Sequence, residues 1–192
     1  MDNRAAKEQM EQAGVEFAPG LTLAQLRAAE QRWRFEFPPD LAELLSFALP
    51  ISGGWYDWRD PDNAAIVSAM QWPLEGMRFD IENNTFWPRE WGERPSTIDA
   101  AFEIAATQVS HAPPLVPLCG HRYMPTEPHE RDNPVFSVYQ TDIIYYGANL
   151  WEYLSNEYSY FFRGPGSEFE ISSPIKPIRF WSWLVDLNNG AV

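Results

Sequence analysis

An apolar stripe at helical spacing, just after a double proline, is the feature that most constrains the fold. The stripe consists of Leu41, Leu44, Leu45, Ala48 and Leu49. Intervals of three and four residues place these side chains on one face of an α-helix, which predicts burial of that face against a core. Pro39 suits the first helical turn, where its missing N–H is not needed. We expect this helix to end before Ser52-Gly53-Gly54.

Other helices are predicted on both sides of this stripe. Thr22 is followed three residues later by Gln25, which is the spacing of a capping box at a helix start. A shorter helix is expected at residues 4–12, a longer one with its cap at Ser96, and another that starts at Asn149. The apolar side of the last expected helix consists of Ile178, Trp181, Leu184 and Val185.

Segments that favour β-structure, bounded by polar turns, predict strands between these helices. They read GWYDW, AAIVSAMQW and MRFDIE in the middle of the chain. After it, LVPLCGHRY and NPVFSVYQTDIIYYG are expected to supply three strands. Gln140-Thr141 is predicted to be a tight hairpin turn, and the Trp-rich stretch from Asn83 to Pro95 an ordered irregular loop. Because helices and strands occur in separate runs, we predict an α+β fold with a mostly antiparallel sheet flanked by helices.

The net charge of −13, from 14 basic and 27 acidic residues, restricts the classes of partner. Nucleic acids and anionic membranes attract positively charged proteins, so neither is expected as a partner. A basic partner would be attracted at long range, although solubility alone also explains an acidic chain. The single cysteine, Cys119, excludes an intramolecular disulfide, and the polar N-terminus has no signal-like apolar run, so a cytoplasmic location is expected.

Two stretches of the chain resemble the SUKH superfamily. In the first, a Thr-capped helix with an inward Glu leads through Phe-Pro-Pro-Asp to a leucine-rich helix and then to Gly and Trp. The matching positions are Thr22, Leu26, Glu30, Phe37, Pro38, Pro39, Asp40, Leu44, Leu45, Gly53, Gly54 and Trp58. In the second, a strand pair enters a helix through Tyr146-Gly147 and Asn149-Leu150. A Trp-rich insertion from Trp72 to Pro95 departs from the family pattern.

The resemblance implies a single α+β domain with a bent sheet that works mainly by binding proteins. Its core would comprise residues 20–160, with a helix and linker extension at 1–19 and a C-terminal loop and helix at 161–192. The Pro/Gly/Ser break at 163–167 lies in that C-terminal loop, before the helix. Bacterial members that resemble this chain are often immunity proteins, which neutralise a secreted toxin inside the producing cell. Fungal relatives regulate cell-wall synthesis. The superfamily has no catalytic residue set, so none is carried over.

Residues with catalytic or metal-binding chemistry are few. Cys119 and His121 would share one face of an extended segment as a nucleophile and its base, but no third group is placed to orient the histidine. Cys119 together with His111, His121 and His129 matches no zinc spacing. We therefore expect no catalytic residue, no metal and no cofactor.

Tryptophans beside carboxylates leave a carbohydrate-binding or glycan-cleaving function open, because aromatic faces stack on sugars and two carboxylates can flank the scissile bond. The segments with this pattern are Trp55-Asp57-Trp58-Asp60, Asp80-Glu82 and Trp87-Glu90-Trp91. Burial is the competing explanation for the tryptophans. It is expected for Trp33, Trp58 and Trp181, which occupy positions on core faces.

The same aromatic and acidic side chains predict a partner-binding surface. Its candidate residues are Trp55, Asp57, Asp60, Asp80, Glu82, Trp87, Glu90 and Trp91. Each acidic side chain is expected on the solvated surface, and together they would face a basic toxin domain such as a nuclease or deaminase. The leading hypothesis is a non-enzymatic immunity protein that occludes the active cleft of the toxin. The alternative is a regulatory scaffold for an endogenous protein, and the sequence specifies no oligomeric state.

Overall fold

The computed structural model describes residues 2–163 and 171–190, with side chains up to Tyr158 and again from Ile171. In chain order the elements are α1 (Asn3–Gln12), β1 (Phe17–Pro19), α2 (Leu23–Trp33), α3 (Pro39–Phe47), β2 (Ala48–Pro50), α4 (Ala64–Asn83), a 3-10 turn (Arg89–Trp91), α5 (Ile98–Ser110), β3 (Leu115–Cys119), β4 (Arg122–Pro125), β5 (Val135–Tyr139), β6 (Asp142–Gly147), α6 (Leu150–Arg163) and α7 (Trp181–Asn188). Beyond Arg163, the break expected at 163–167 lies outside the described residues. Among the described helices, none combines the length and the apolar character needed to cross a membrane.

The strands pair antiparallel, which confirms the predicted α+β class. β1 pairs with β2, and β3, β4, β5 and β6 form a four-stranded meander in chain order. The turn Gln140-Thr141 closes the β5–β6 hairpin as predicted, with Tyr139 opposite Asp142. Gln140 has a positive φ of 58°, the backbone conformation that two-residue hairpin turns require.

The four-stranded sheet separates two hydrophobic clusters. Successive side chains of a strand point to opposite faces, so Val135 joins the first cluster and Phe136 joins the second. Helices α1, α2, α3 and α6 pack in the first cluster, whereas α5 and α7 pack in the second. The first half of α4 packs in the first cluster through Ile66, and its second half packs in the second cluster through Met77 and Ile81. α1 belongs to the expected N-terminal extension, yet its Ala6 and Met10 are completely buried. Both faces of the sheet are therefore covered by helices.

Helices α2 and α3 begin where their local signals predict. The Thr22 hydroxyl accepts from the Gln25 N–H at 3.2 Å, and the Gln25 side chain accepts from the Thr22 N–H at 2.9 Å, which completes the capping box. α3 begins at Pro39 but ends at Phe47, earlier than expected. The last two residues of its apolar stripe are buried in β2, because pairing with β1 satisfies their backbone in an extended conformation.

The Phe-Pro-Pro-Asp segment at residues 37–40 connects the first cluster to the loop between β4 and β5. Phe37 packs edge-to-face against Trp58 with ring centroids 5.2 Å apart, and its N–H donates to the Glu30 carboxylate at 3.0 Å. The completely buried Asp40 accepts from the Asp132 N–H at 3.2 Å. Burial raises the pKa of Asp40 above its usual value. The segment thus has a structural role in this fold.

The main correction concerns residues 64–83, where strands were expected and α4 forms a single helix of 20 residues. The valine, isoleucine and aromatic residues of this segment favour strands locally. Its buried residues nevertheless follow intervals of three and four, the period of a helix. They include Ile66, Ala69, Pro73, Met77 and Ile81. Burial of this face against the sheet outweighs the local preference, and GWYDW contributes only an isolated bridge between Trp55 and Cys119.

The remaining predicted helices agree closely with the structure, but the segment LVPLCGHRY forms parts of two strands, β3 and β4, where one strand was expected. α5 is capped by Thr97, one residue after the expected Ser96, since the Thr97 hydroxyl accepts from the Ala100 N–H. Asn149 caps α6 by accepting from the Glu152 N–H at 2.9 Å. The expected apolar side of the C-terminal helix is buried, with Ile178 just before α7.

Three tryptophans were expected in the core, and two of them are. Trp58 and Trp181 are both 2% exposed. Trp33 is only half-buried, and its indole N–H donates to the Pro61 carbonyl at 2.9 Å. Trp33 therefore pins the loop before α4 to the end of α2.

Candidate functional site

A groove of about 390 Å³ lies between one face of α4 and the hairpin turns of the four-stranded sheet. The helix contributes Ala65, Ser68, Ala69 and Trp72, which share a face because they are three and four residues apart. The other side consists of Tyr56, Gly120, His121, Tyr123 and Tyr139. The volume of the groove lies in the range of sites that bind a small molecule or a large side chain.

A proline inside α4 shapes the floor of this groove. Pro73 has no N–H, so the carbonyl of Ala69, four residues earlier, loses its usual helical partner. The buried Tyr123 hydroxyl donates to that carbonyl at 2.9 Å. This bond satisfies the orphaned acceptor and fastens β4 to the middle of α4.

Trp72 and Tyr139 are two exposed aromatic walls of the groove. The side chains are 36% and 55% exposed, and their ring centroids lie 6.2 Å apart at an interplanar angle of 57°. The Trp72 indole N–H donates to the Val138 carbonyl at 3.1 Å, which fixes the orientation of the ring. The ring centroids of His121 and Tyr139 are also 6.2 Å apart, with an interplanar angle of 75°. Three aromatic faces thus surround the groove at steep angles to one another.

The β5–β6 hairpin is held against α4 by a glycine and a buried carboxylate. A Cβ on Gly76 would lie 2.7 Å from the Gln140 Cα, so only glycine allows the turn to approach this closely. One helical turn later, Asp80 accepts from the Thr141 N–H at 2.8 Å and from the Thr141 hydroxyl at 2.6 Å. These contacts set the position of Tyr139 beside Trp72.

Local electrostatics oppose a nucleophilic role for the cysteine near the groove. Burial raises the pKa of the Cys119 thiol to about 11, and the thiol donates to the Gly53 carbonyl at 3.1 Å. A nucleophilic cysteine needs the opposite shift, because the thiolate is the reactive form. Burial and the positive charge of Arg122 lower the pKa of His121, which favours a neutral imidazole.

The histidines considered for metal binding lie apart from one another in structural roles. His111 is the C-terminal cap of α5, and His129 bonds to the Phe37 carbonyl at 3.1 Å. Within residues 2–163 and 171–190, no group of three or more His, Cys, Asp or Glu side chains is placed to hold a metal ion.

Two of the eight predicted partner-binding residues are buried, so the prediction is wrong for them. Trp55 is 7% exposed, and its indole N–H donates to the Tyr158 hydroxyl at 2.7 Å. Asp80 is 4% exposed and holds the hairpin, contrary to the solvated position expected for it. Because Trp55 and Trp58 are both buried, neither ring can stack on a sugar.

The other six candidates form two groups at opposite ends of α4. Asp57 and Asp60 precede the helix, whereas Glu82, Trp87, Glu90 and Trp91 lie at or after its last turn. A helix of this length spans about 30 Å, so the two groups do not make one continuous site.

In the first group, Asp57 forms a hydrogen-bonded ion pair with Arg59, which lowers the pKa of the Asp57 carboxyl below its usual value.

The second group belongs to a tryptophan-rich loop that packs on α7. The ring of Trp91 packs edge-to-face against the ring of Trp87, with centroids 5.4 Å apart, and its centroid lies 6.3 Å from that of Trp183 in α7. These ring contacts anchor the irregular loop that was predicted for this stretch. A groove of about 430 Å³ passes between the loop and α7, with Trp87 and Glu90 in its lining. Both tryptophans are half-buried. The contacts that anchor the loop therefore cover much of the surface of Trp87 and Trp91.

Comparisons with protein-family models, curated proteins and solved structures found no match. The SUKH resemblance therefore stays a prediction, and the function is argued from the groove itself.

The groove residues Trp72, His121 and Tyr139 were absent from the predicted site. Because strands were predicted for residues 64–83, the helical face that carries Trp72 was not identified from the sequence. Ala65, Ser68, Ala69 and Trp72 are three and four residues apart, and this helical spacing could have identified that face. For His121 and Tyr139 the sequence holds no equivalent signal, because their neighbours in the groove are distant in the chain.

Proposed function

We propose that this chain is a protein-binding domain that neutralises a basic toxin made in the same cell by covering the toxin's active cleft. The observation that carries the proposal is the groove, in which two partly exposed aromatic rings border a concave surface. Concave patches with aromatic side chains are typical anchor points of protein interfaces.

The charge of the protein supports a basic partner. Clefts that bind nucleic acids or nucleotides are positive, so a protein of net charge −13 competes there with the substrate. The carboxylates of Asp60, Glu75 and Asp142 are exposed, and each lies within four residues in sequence of a groove residue, so they add negative charge to this part of the surface. Electrostatic attraction would speed the encounter, and the aromatic rings would contribute buried area once the complex forms.

Co-expression with the reading frame beside its own gene tests the proposal. The neighbour alone should arrest growth of a sensitive host, and this chain should restore growth and purify with the neighbour as a stoichiometric complex. Association should slow markedly between low and physiological salt because the attraction is screened.

Matched charge reversals separate steering from the general effect of net charge. Asp57→Lys with Asp60→Lys should weaken the complex far more than Asp2→Lys with Glu8→Lys at the N-terminus, although both pairs change the net charge equally. Absence of both protection and a complex would contradict the proposed function. A stable complex with an endogenous signalling protein instead would favour the regulatory scaffold.

A further inference from the structure

We infer that the groove between α4 and the hairpin turns binds an arginine side chain of the protein partner, with Trp72 and Tyr139 as its aromatic walls. The inference rests on the proposed function only for the source of the arginine. The chemistry of recognition follows from the rings and carboxylates of the groove.

Ring geometry favours a cation over a flat ligand. The planes of Trp72 and Tyr139 meet at 57°, and those of His121 and Tyr139 at 75°. A planar heterocycle needs near-parallel walls to stack on two rings, which neither pair offers. A cation is attracted to the face of each ring separately, so tilted walls can converge on one charge.

Two exposed carboxylates stand beside the aromatic walls. Glu75 follows Trp72 by three residues, which places it one turn away on the same side of α4. Asp142 is the direct cross-strand partner of Tyr139, so their side chains lie on one face of the sheet. A cation on the rings therefore has negative charge on both the helix side and the sheet side.

Two basic residues close in sequence to groove residues, Arg59 and Arg122, are already engaged. Arg59 is paired with Asp57. Arg122 donates to the Ser137 hydroxyl at 3.0 Å, and its guanidinium lies 3.5 Å from the ring centroid of Tyr146. Neither guanidinium lines the groove, so the aromatic faces stay available to a cation from outside.

Arginine fits this arrangement better than lysine. Its guanidinium is planar and weakly hydrated, so it stacks on an aromatic face while its edge donates several hydrogen bonds. Stacking on Trp72 or Tyr139 would leave the N–H groups free to reach Glu75 or Asp142. Charge-assisted bonds to carboxylates would then fix the orientation of the side chain.

Titration with two small probes tests the inference on the intact protein. N-acetyl-arginine N-methylamide carries the charge, and N-acetyl-citrulline N-methylamide has nearly the same shape without it. The indole N–H resonance of Trp72 is followed by NMR and assigned with Trp72→Phe. The arginine probe should shift this resonance saturably, and the citrulline probe should bind about tenfold more weakly.

Variants on and beside the groove supply the controls. Tyr139→Ala should weaken binding of the arginine probe several-fold, whereas Phe79→Ala, an exposed aromatic on the same helix but outside the groove lining, should leave it unchanged. Equal binding of both probes, or an unmoved Trp72 resonance, would overturn the inference.

The two proposals fail separately. Protection from the toxin with no response to the arginine probe would overturn the arginine site and leave the proposed function standing. A charge-dependent response to the probe without any protection would support the arginine site and contradict the toxin-neutralising function.

Discussion

Replacement of Asp80 by alanine tests whether this carboxylate serves the fold rather than a partner. The variant would remove the acceptor of the Thr141 N–H and hydroxyl, at 2.8 and 2.6 Å, in a site where Asp80 is 4% exposed. Hydrogen bonds to a charged group contribute about 1.5–3 kcal/mol each, so for two such bonds we expect a loss of about 3–6 kcal/mol in the free energy of unfolding. The corresponding fall in Tm is roughly 10 °C.

Urea denaturation followed by tryptophan fluorescence and circular dichroism gives the free energy of unfolding. Glu82→Ala is the matched control, because Glu82 lies on the same helix, is exposed, and forms an ion pair with Arg78 four residues earlier. Such a pair contributes about 0.3–0.5 kcal/mol. If Asp80→Ala destabilises the protein no more than Glu82→Ala, the buried clamp between α4 and the hairpin is not a stabilising contact and the reasoning fails.

Three further predictions concern the groove floor and two titratable groups. Tyr123→Phe should lower the free energy of unfolding by about 1–3 kcal/mol in urea denaturation, because the buried Ala69 carbonyl would lose its hydrogen-bond donor; an unchanged midpoint would contradict this role. Burial raises the pKa of Asp40 above 3.8, so the ionised carboxylate costs more stability as pH rises through the folded-state pKa. The stability of Asp40→Asn relative to the natural chain should accordingly rise as pH increases from about 3.8 through the folded-state pKa of Asp40, and a pH-independent difference would refute this sign. The pKa of about 11 predicts that Cys119 is alkylated by iodoacetamide at neutral pH about 100-fold more slowly than in the denatured chain, as measured by mass spectrometry; similar rates would show that the thiol is not protected.

Local signals predicted most helix starts and the main hairpin. The Thr22 capping box, the start of α3 at Pro39 and the turn Gln140-Thr141 all depend on residues within a few positions of one another. Their chemistry acts over that same range, through a side chain that caps a helix or a backbone that adopts a turn. The predicted elements in these regions are accordingly confirmed.

Prediction failed where distant contacts outweigh local preference. Strand-favouring residues at 64–83 form α4 because one helical face is buried against the sheet. Pro73 is accommodated there because Tyr123, 50 positions later in the sequence, donates to the freed Ala69 carbonyl. The acidic character of Asp80 suggested a surface position, and only the packed hairpin shows what the carboxylate binds.

By itself, the sequence determined the α+β class, the acidic charge and the positions of most helix caps. These properties follow from composition or from neighbours along the chain. Tertiary structure decided the groove, because Tyr56, Trp72, His121 and Tyr139 come from different elements and meet only when α4 packs on the sheet. The close approach permitted by Gly76 and the buried bonds of Asp80 supply the physical reason for that meeting.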